Sequence, residues 1–135
     1  MILTSTKILL VAGMVNLLAG ALSGIPMGLG RANGDREVPK YLTMVHMAGL
    51  MHGPILISVG FALTVSTLTP WLNTAAAAML AFASILLLLK DTINWRQGVT
   101  DEFAEDTLGL KIGWLFGPLE TLGLGLATAG AISGL

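Results

Sequence analysis

The 135-residue sequence predicts an all-α fold, an integral membrane bundle of four helices in one domain over residues 1–135. Two observations carry that expectation. Hydrophobic residues make up 54% of the chain and charged residues 11%, with a mean hydropathy of +0.81, whereas soluble domains carry about 25% charged residues. The charges are also confined: residues 8–30 and 41–89 hold none, and from Ile112 to Leu135 the only one is Glu120. A helix needs about 20 apolar residues to cross the hydrocarbon. Spans are therefore expected near 7–29, 41–68, 72–96 and 108–134, the breaker Thr69-Pro70-Trp71-Leu72-Asn73-Thr74 dividing the long uncharged run.

Composition also narrows function. A net charge of −1 lacks the positive field that nucleic-acid binding requires. With no cysteine, disulfides, Fe–S clusters, thiolate metal sites and covalent haem attachment are excluded. Glycine, at 17 residues, is in marked excess over the usual share of about 7%.

Span one follows Lys7 and outruns the apolar core of a secretory signal; with three further spans behind it, it reads as a retained helix. Gly13, Asn16, Gly20 and Gly24 lie along one stripe, with Asn16 expected to bridge helices. The connector "GRANGDREVP" that follows is polar and rich in turn formers.

Span two holds both histidines of the protein, His46 and His52. At 100° per residue they diverge by about 120° round the helix, so they cannot grip one small metal ion as an i, i+4 pair does. His46 shares its face with Gly49, Gly53 and Gly60. Such a strip either admits close helix packing or leaves room for a flat guest such as a haem, whose iron is commonly held by a single histidine.

Span three closes in "LLKDTINWRQG". Lys90 and Asp91 sit near the interface, where they can snorkel or pair with each other or with Arg96. Asn94 offers donor and acceptor without net charge, suiting it to bridge helices or to orient a substrate. Trp71, Trp95 and Trp114 read as interface anchors. The connector "GVTDEFAEDT" reads as solvated. Span four begins Gly109, Gly113, Gly117, a helix-association spacing, and leads on the same side to Glu120, an acid that is protonated, paired or on a proton path. Arg31, Arg36, Lys40, Lys90, Arg96 and Lys111 flank the two longer loops, against Lys7 alone at the opposite end. Loops 30–40 and 97–107 are accordingly expected in the cytoplasm, with both termini across the membrane.

The segment "VHMAGLMHG", followed by an apolar span and "INWRQG", resembles the small four-span membrane isomerases that include styrene oxide isomerase and hydroxylaminobenzene mutase. His46 matches the family's motif histidine, Gly53 its glycine and Asn94 its span-three asparagine. The resemblance implies a bacterial inner-membrane homotrimer that binds haem b noncovalently near subunit interfaces. It makes His46 the axial iron ligand, with Gly49 and Gly53 beside the cofactor and His52 and Asn94 orienting a small aromatic substrate. Two positions depart from the pattern: His52 replaces the motif asparagine, and Gly98 stands where a tyrosine is expected. Both weigh against epoxide-to-aldehyde isomerisation, and the Asn94-Trp95 pair looks more like the mutase branch, which converts hydroxylaminobenzene to 2-aminophenol. Two expectations of other classes stand beside it. One is a membrane haem electron carrier, recruiting His52 or Met44 from a second subunit. The other is a cofactor-free proton or solute path lined by Glu120, Asp91 and Asn94.

Overall fold

A computed structural model describes residues 3–135. It contains four long helices: α1 Thr4–Ala32, α2 Lys40–Ala62, α3 Pro70–Arg96 and α4 Leu108–Ser133, with a 3₁₀ turn at Leu63–Val65 after α2. Each helix is long and apolar enough to cross a membrane, which marks the chain as membrane-spanning. The spans fall where the charge gaps place them, with one correction. Span two was expected to run to residue 68, but the helix ends at Ala62 and Ser66 turns the backbone extended. Ser66 Oγ accepts from the Leu68 amide at 3.2 Å and donates to Asn73 Oδ1 at 2.9 Å, offering the chain a local alternative to helix. Pro70 then holds Thr69 extended and opens α3 at its first position.

The helices pair as two hairpins. The α1–α2 and α3–α4 contacts are the most extensive, α3 also lies against α1 and α2, and α4 meets α2 at only a few positions. Glycine makes the first hairpin tight. A Cβ on Gly49 would lie 2.5 Å from the Gly20 nitrogen and 2.6 Å from the Asn16 carbonyl, and one on Gly53 would lie 2.9 Å from the Gly13 carbonyl. Thr6 Oγ1 donates to the Gly60 carbonyl at 2.9 Å across the same interface. Asn16 bridges helices as expected, donating through Nδ2 to Ser84 Oγ on α3 at 3.0 Å. The apolar core comprises Leu9, Leu56, Leu63, Ala77, Leu80 and Ala127, at the end of the bundle that holds the termini.

Both long connectors lie at the other end. The Lys40 ammonium donates to the Thr100 carbonyl at 3.3 Å, and the Glu102 amide donates to the Tyr41 hydroxyl at 3.0 Å. The connector 97–107 departs from the solvated reading: Val99 and Glu102 are buried, and Glu102 folds back between the helices.

Candidate functional site

Apart from Asn16, which joins α1 to Ser84 on α3, the polar residues that lipid would not tolerate gather into three separate centres, one for each of His46, His52 and Asn94. The first lies between α1 and α2. His46 Nδ1 is 2.7 Å from the Gly20 carbonyl oxygen, and its ring rests on Gly24, where a Cβ would meet His46 Cε1 at 3.3 Å. A carbonyl only accepts, so Nδ1 carries a proton, and in the neutral ring the lone pair is on Nε2. Among the described residues Nε2 has no hydrogen-bond partner and is not sealed from the surface. A backbone acceptor fixing Nδ1–H is the arrangement that orients a metal-ligating histidine and raises its basicity.

The glycine strip beside His46 has a different use from the cofactor contact expected of it. Gly49 and Gly53 face α1, whose backbone and Leu17 side chain occupy the space a flat guest would need. Peptide groups of two helices meet there, a contact possible only without side chains.

The second centre lies at mid-membrane. His52 Nε2 is 3.2 Å from Glu120 Oε1, bridging α2 and α4 where those helices otherwise scarcely touch. Each residue is twelve positions from the loop-side start of its helix, about 18 Å at 1.5 Å per residue. Glu120 Oε2 is buried without a partner, and the Phe116 ring stands edge-on to the imidazole at 6.5 Å. Glu120 is turned toward protein as expected, but Gly113 and Gly117 before it do not form a helix-association face among the described residues: a Cβ on Gly117 would meet nothing within 4 Å, and one on Gly113 only Lys90 Cδ at 3.6 Å.

The third centre caps the loop end of α3. Lys90 Nζ donates to Asp91 Oδ1 at 2.7 Å and to both Glu102 oxygens at 3.2 and 3.3 Å. Asn94, fully buried, donates through Nδ2 to Glu102 Oε2 at 2.7 Å. Because a carboxylate only accepts, this bond fixes which end of the amide is nitrogen. It leaves Asn94 Oδ1 buried and unpartnered, pressed against Gly109. Lys90 pairs with Asp91 as expected, whereas Arg96 stacks over the Trp95 ring at 5.1 Å.

Among the described residues, then, His46, His52 and Asn94 share no hydrogen bond. Each is tied to a different partner: a carbonyl of α1, an acid of α4 and an acid of the 97–107 connector. Glu102 is the site residue that the sequence reading passed over. Its only local signal was an acid set between Val99 and Phe103 in an otherwise polar loop, and its partners lie 8, 12 and 61 residues away. Just outside the membrane, Glu105 accepts from the Thr100 and Asp101 amides at 2.9 and 3.0 Å and from the Thr100 hydroxyl at 2.8 Å. The Asp101 amide, the Thr100 amide and the Thr100 hydroxyl, in that order, hold its carboxyl below the usual value of 4.5.

Comparison of the chain with protein-family models, with curated proteins and with solved structures yields no match in any of the three.

Proposed function

We propose that this protein is a haem-dependent membrane isomerase of small aromatic substrates, acting as a hydroxylaminobenzene mutase. The observation that carries the reading is the His46 imidazole, with its Nδ1 proton committed to the Gly20 carbonyl and Nε2 left as a free donor atom. As a ligand His46 fits the noncovalent haem b that the sequence resemblance implies; as a cradle the Gly49–Gly53 face does not, being filled by α1. The remaining wall of such a site belongs to a second copy of the chain, in keeping with the homotrimer of the resemblance.

Bound haem would supply a Lewis-acidic iron toward the substrate's hydroxyl oxygen. The chain's own residues do the rest. His46 holds the group in place, and the apolar surroundings keep water from trapping a cationic aromatic species. His52 carries or accepts a proton at Nε2 opposite Glu120, and Asn94 holds the Glu102 carboxylate through its Nδ2. With His52 and Asn94 in separate centres and Asn94 fully buried against Gly109, His52 is the residue left to meet substrate at a subunit contact, and Asn94 acts by holding Glu102.

The test is an absorption spectrum of the purified protein, followed by product analysis with hydroxylaminobenzene and styrene oxide side by side. Expected are a Soret band, its loss in His46→Ala, and 2-aminophenol as the main product. A His46→Ala protein that kept haem and full activity would overturn the reading, and aldehyde from styrene oxide as the main product would move it to the epoxide branch. The His52–Glu120 pair favours one rival, a cofactor-free proton path. Protein without a Soret band, inactive on both substrates and conducting protons in vesicles, would replace the isomerase by that path.

A further inference from the structure

A groove of about 450 Å³ runs along α4 from the loop end toward the membrane centre, and none of the roles above uses it. Phe103, Trp114 and Phe116 supply its aromatic walls. Gly117 leaves it open, since a Cβ there would meet nothing within 4 Å, and Gly113 exposes the Lys90 stem, whose Cδ would lie 3.6 Å from such a Cβ. Lys90 thus shows the groove its methylenes while its ammonium is turned to the carboxylates. Pro118 has no N–H, so the Trp114 carbonyl lacks its intrahelical hydrogen bond in the same wall. The volume suits one small aromatic molecule.

The polar end of the groove decides which molecule. Asp91 and Glu102 bring two carboxylates and Lys90 one ammonium, all buried. Among the described residues no other cation pairs with either carboxylate, and Lys40 lies out in solvent over the Tyr41 ring at 5.2 Å. One negative charge is therefore uncompensated where bare charge is costly. A missing positive charge beside the Glu102 carboxylate and aromatic faces together define a cation site, because ring faces attract cations as carboxylates do.

We propose that the α4 groove binds a small aromatic ammonium ion, a protonated arylalkylamine, with its ring among Phe103, Trp114 and Phe116 and its ammonium against Glu102. The groove discriminates by charge: a neutral analogue fills the walls but leaves the carboxylate uncompensated, and an anionic one is repelled. The proposal stands independently of haem, because it concerns binding and involves neither His46 nor turnover.

The test uses the full-length protein in neutral detergent, following Trp114 fluorescence, with Trp114→Phe identifying its share of the signal. Benzylammonium is titrated beside benzyl alcohol and benzoate. Expected is saturable quenching by benzylammonium, weakened about tenfold or more in Glu102→Gln, the scale of one charge-assisted contact. Gly117→Leu, which fills the groove and leaves the charged cluster untouched, should abolish it. If Glu102→Gln loses its helical signal, Gly117→Leu alone decides. Parallel, unsaturable quenching by all three probes marks micelle partition and overturns the proposal, as does unaltered binding in a folded Gly117→Leu protein.

Discussion

His46 and His52 lie six positions apart on one helix, and each meets an oxygen acceptor, the first a neutral carbonyl and the second an ionisable carboxyl. A carbonyl fixes the tautomer of the first; a carboxylate shares a proton with the second. Removing the imidazole of His52 leaves both oxygens of Glu120 unpartnered at mid-membrane. His52→Ala should therefore destabilise the bundle by about 1–3 kcal/mol, the cost of stranding a buried polar group. His52→Ala/Glu120→Ala should cost less than the sum of the single changes, as measured by unfolding in mixed micelles. Glu105 gives a pH prediction. Its folded pKa is depressed, so the loop staple contributes fully above 4.5 and is lost as pH falls through the lower folded-state value. Exchange protection of the Thr100 and Asp101 amides should hold from pH 7 to pH 5 and fade only in stronger acid. In Glu105→Gln it should be weak throughout.

At the scale of the element, glycine separates contacts that sequence periodicity treats alike. Gly49 lies against the backbone of α1, whereas a Cβ on Gly125 would meet nothing within 4 Å. Gly49→Ala should force α1 and α2 apart and cost about 1–3 kcal/mol, the range for overpacking. Gly125→Ala, at an open helical position, should be neutral or mildly stabilising because it removes glycine's backbone freedom. Equal unfolding midpoints for the two variants would contradict the interface. Helix positions themselves were legible: runs with no charge or, for α4, only Glu120 in its apolar stretch located all four, since lipid tolerates few charges. The end of α2 was not, because Ser66, Thr67 and Leu68 are apolar enough to extend a span. What stops the helix is a hydrogen bond to Asn73 together with the restriction Pro70 places on Thr69.

For the whole molecule, the two connectors share one end and the termini share the other. The chain has no cysteine, so single labels report sidedness directly. Arg36→Cys and Ala104→Cys should react with an impermeant maleimide from one face of sealed vesicles and Leu135→Cys from the other. From the Lys/Arg bias, the first two are expected to react from the cytoplasmic face. Reaction of Arg36→Cys and Ala104→Cys from opposite faces would contradict the hairpin arrangement.

By itself the sequence determined the solvent, the number of spans, the helical class and the short set of polar residues that need partners. All of these follow from hydropathy and charge, which act along the chain and can be read along it. Tertiary structure alone decided the partners: that the His46 glycine face packs on α1, that His52 meets Glu120, and that Asn94 binds an acid from a loop. These pairings join residues 8 to 68 positions apart. A buried polar group takes whichever complementary atom the packing brings within about 3 Å, and no local pattern encodes that distance.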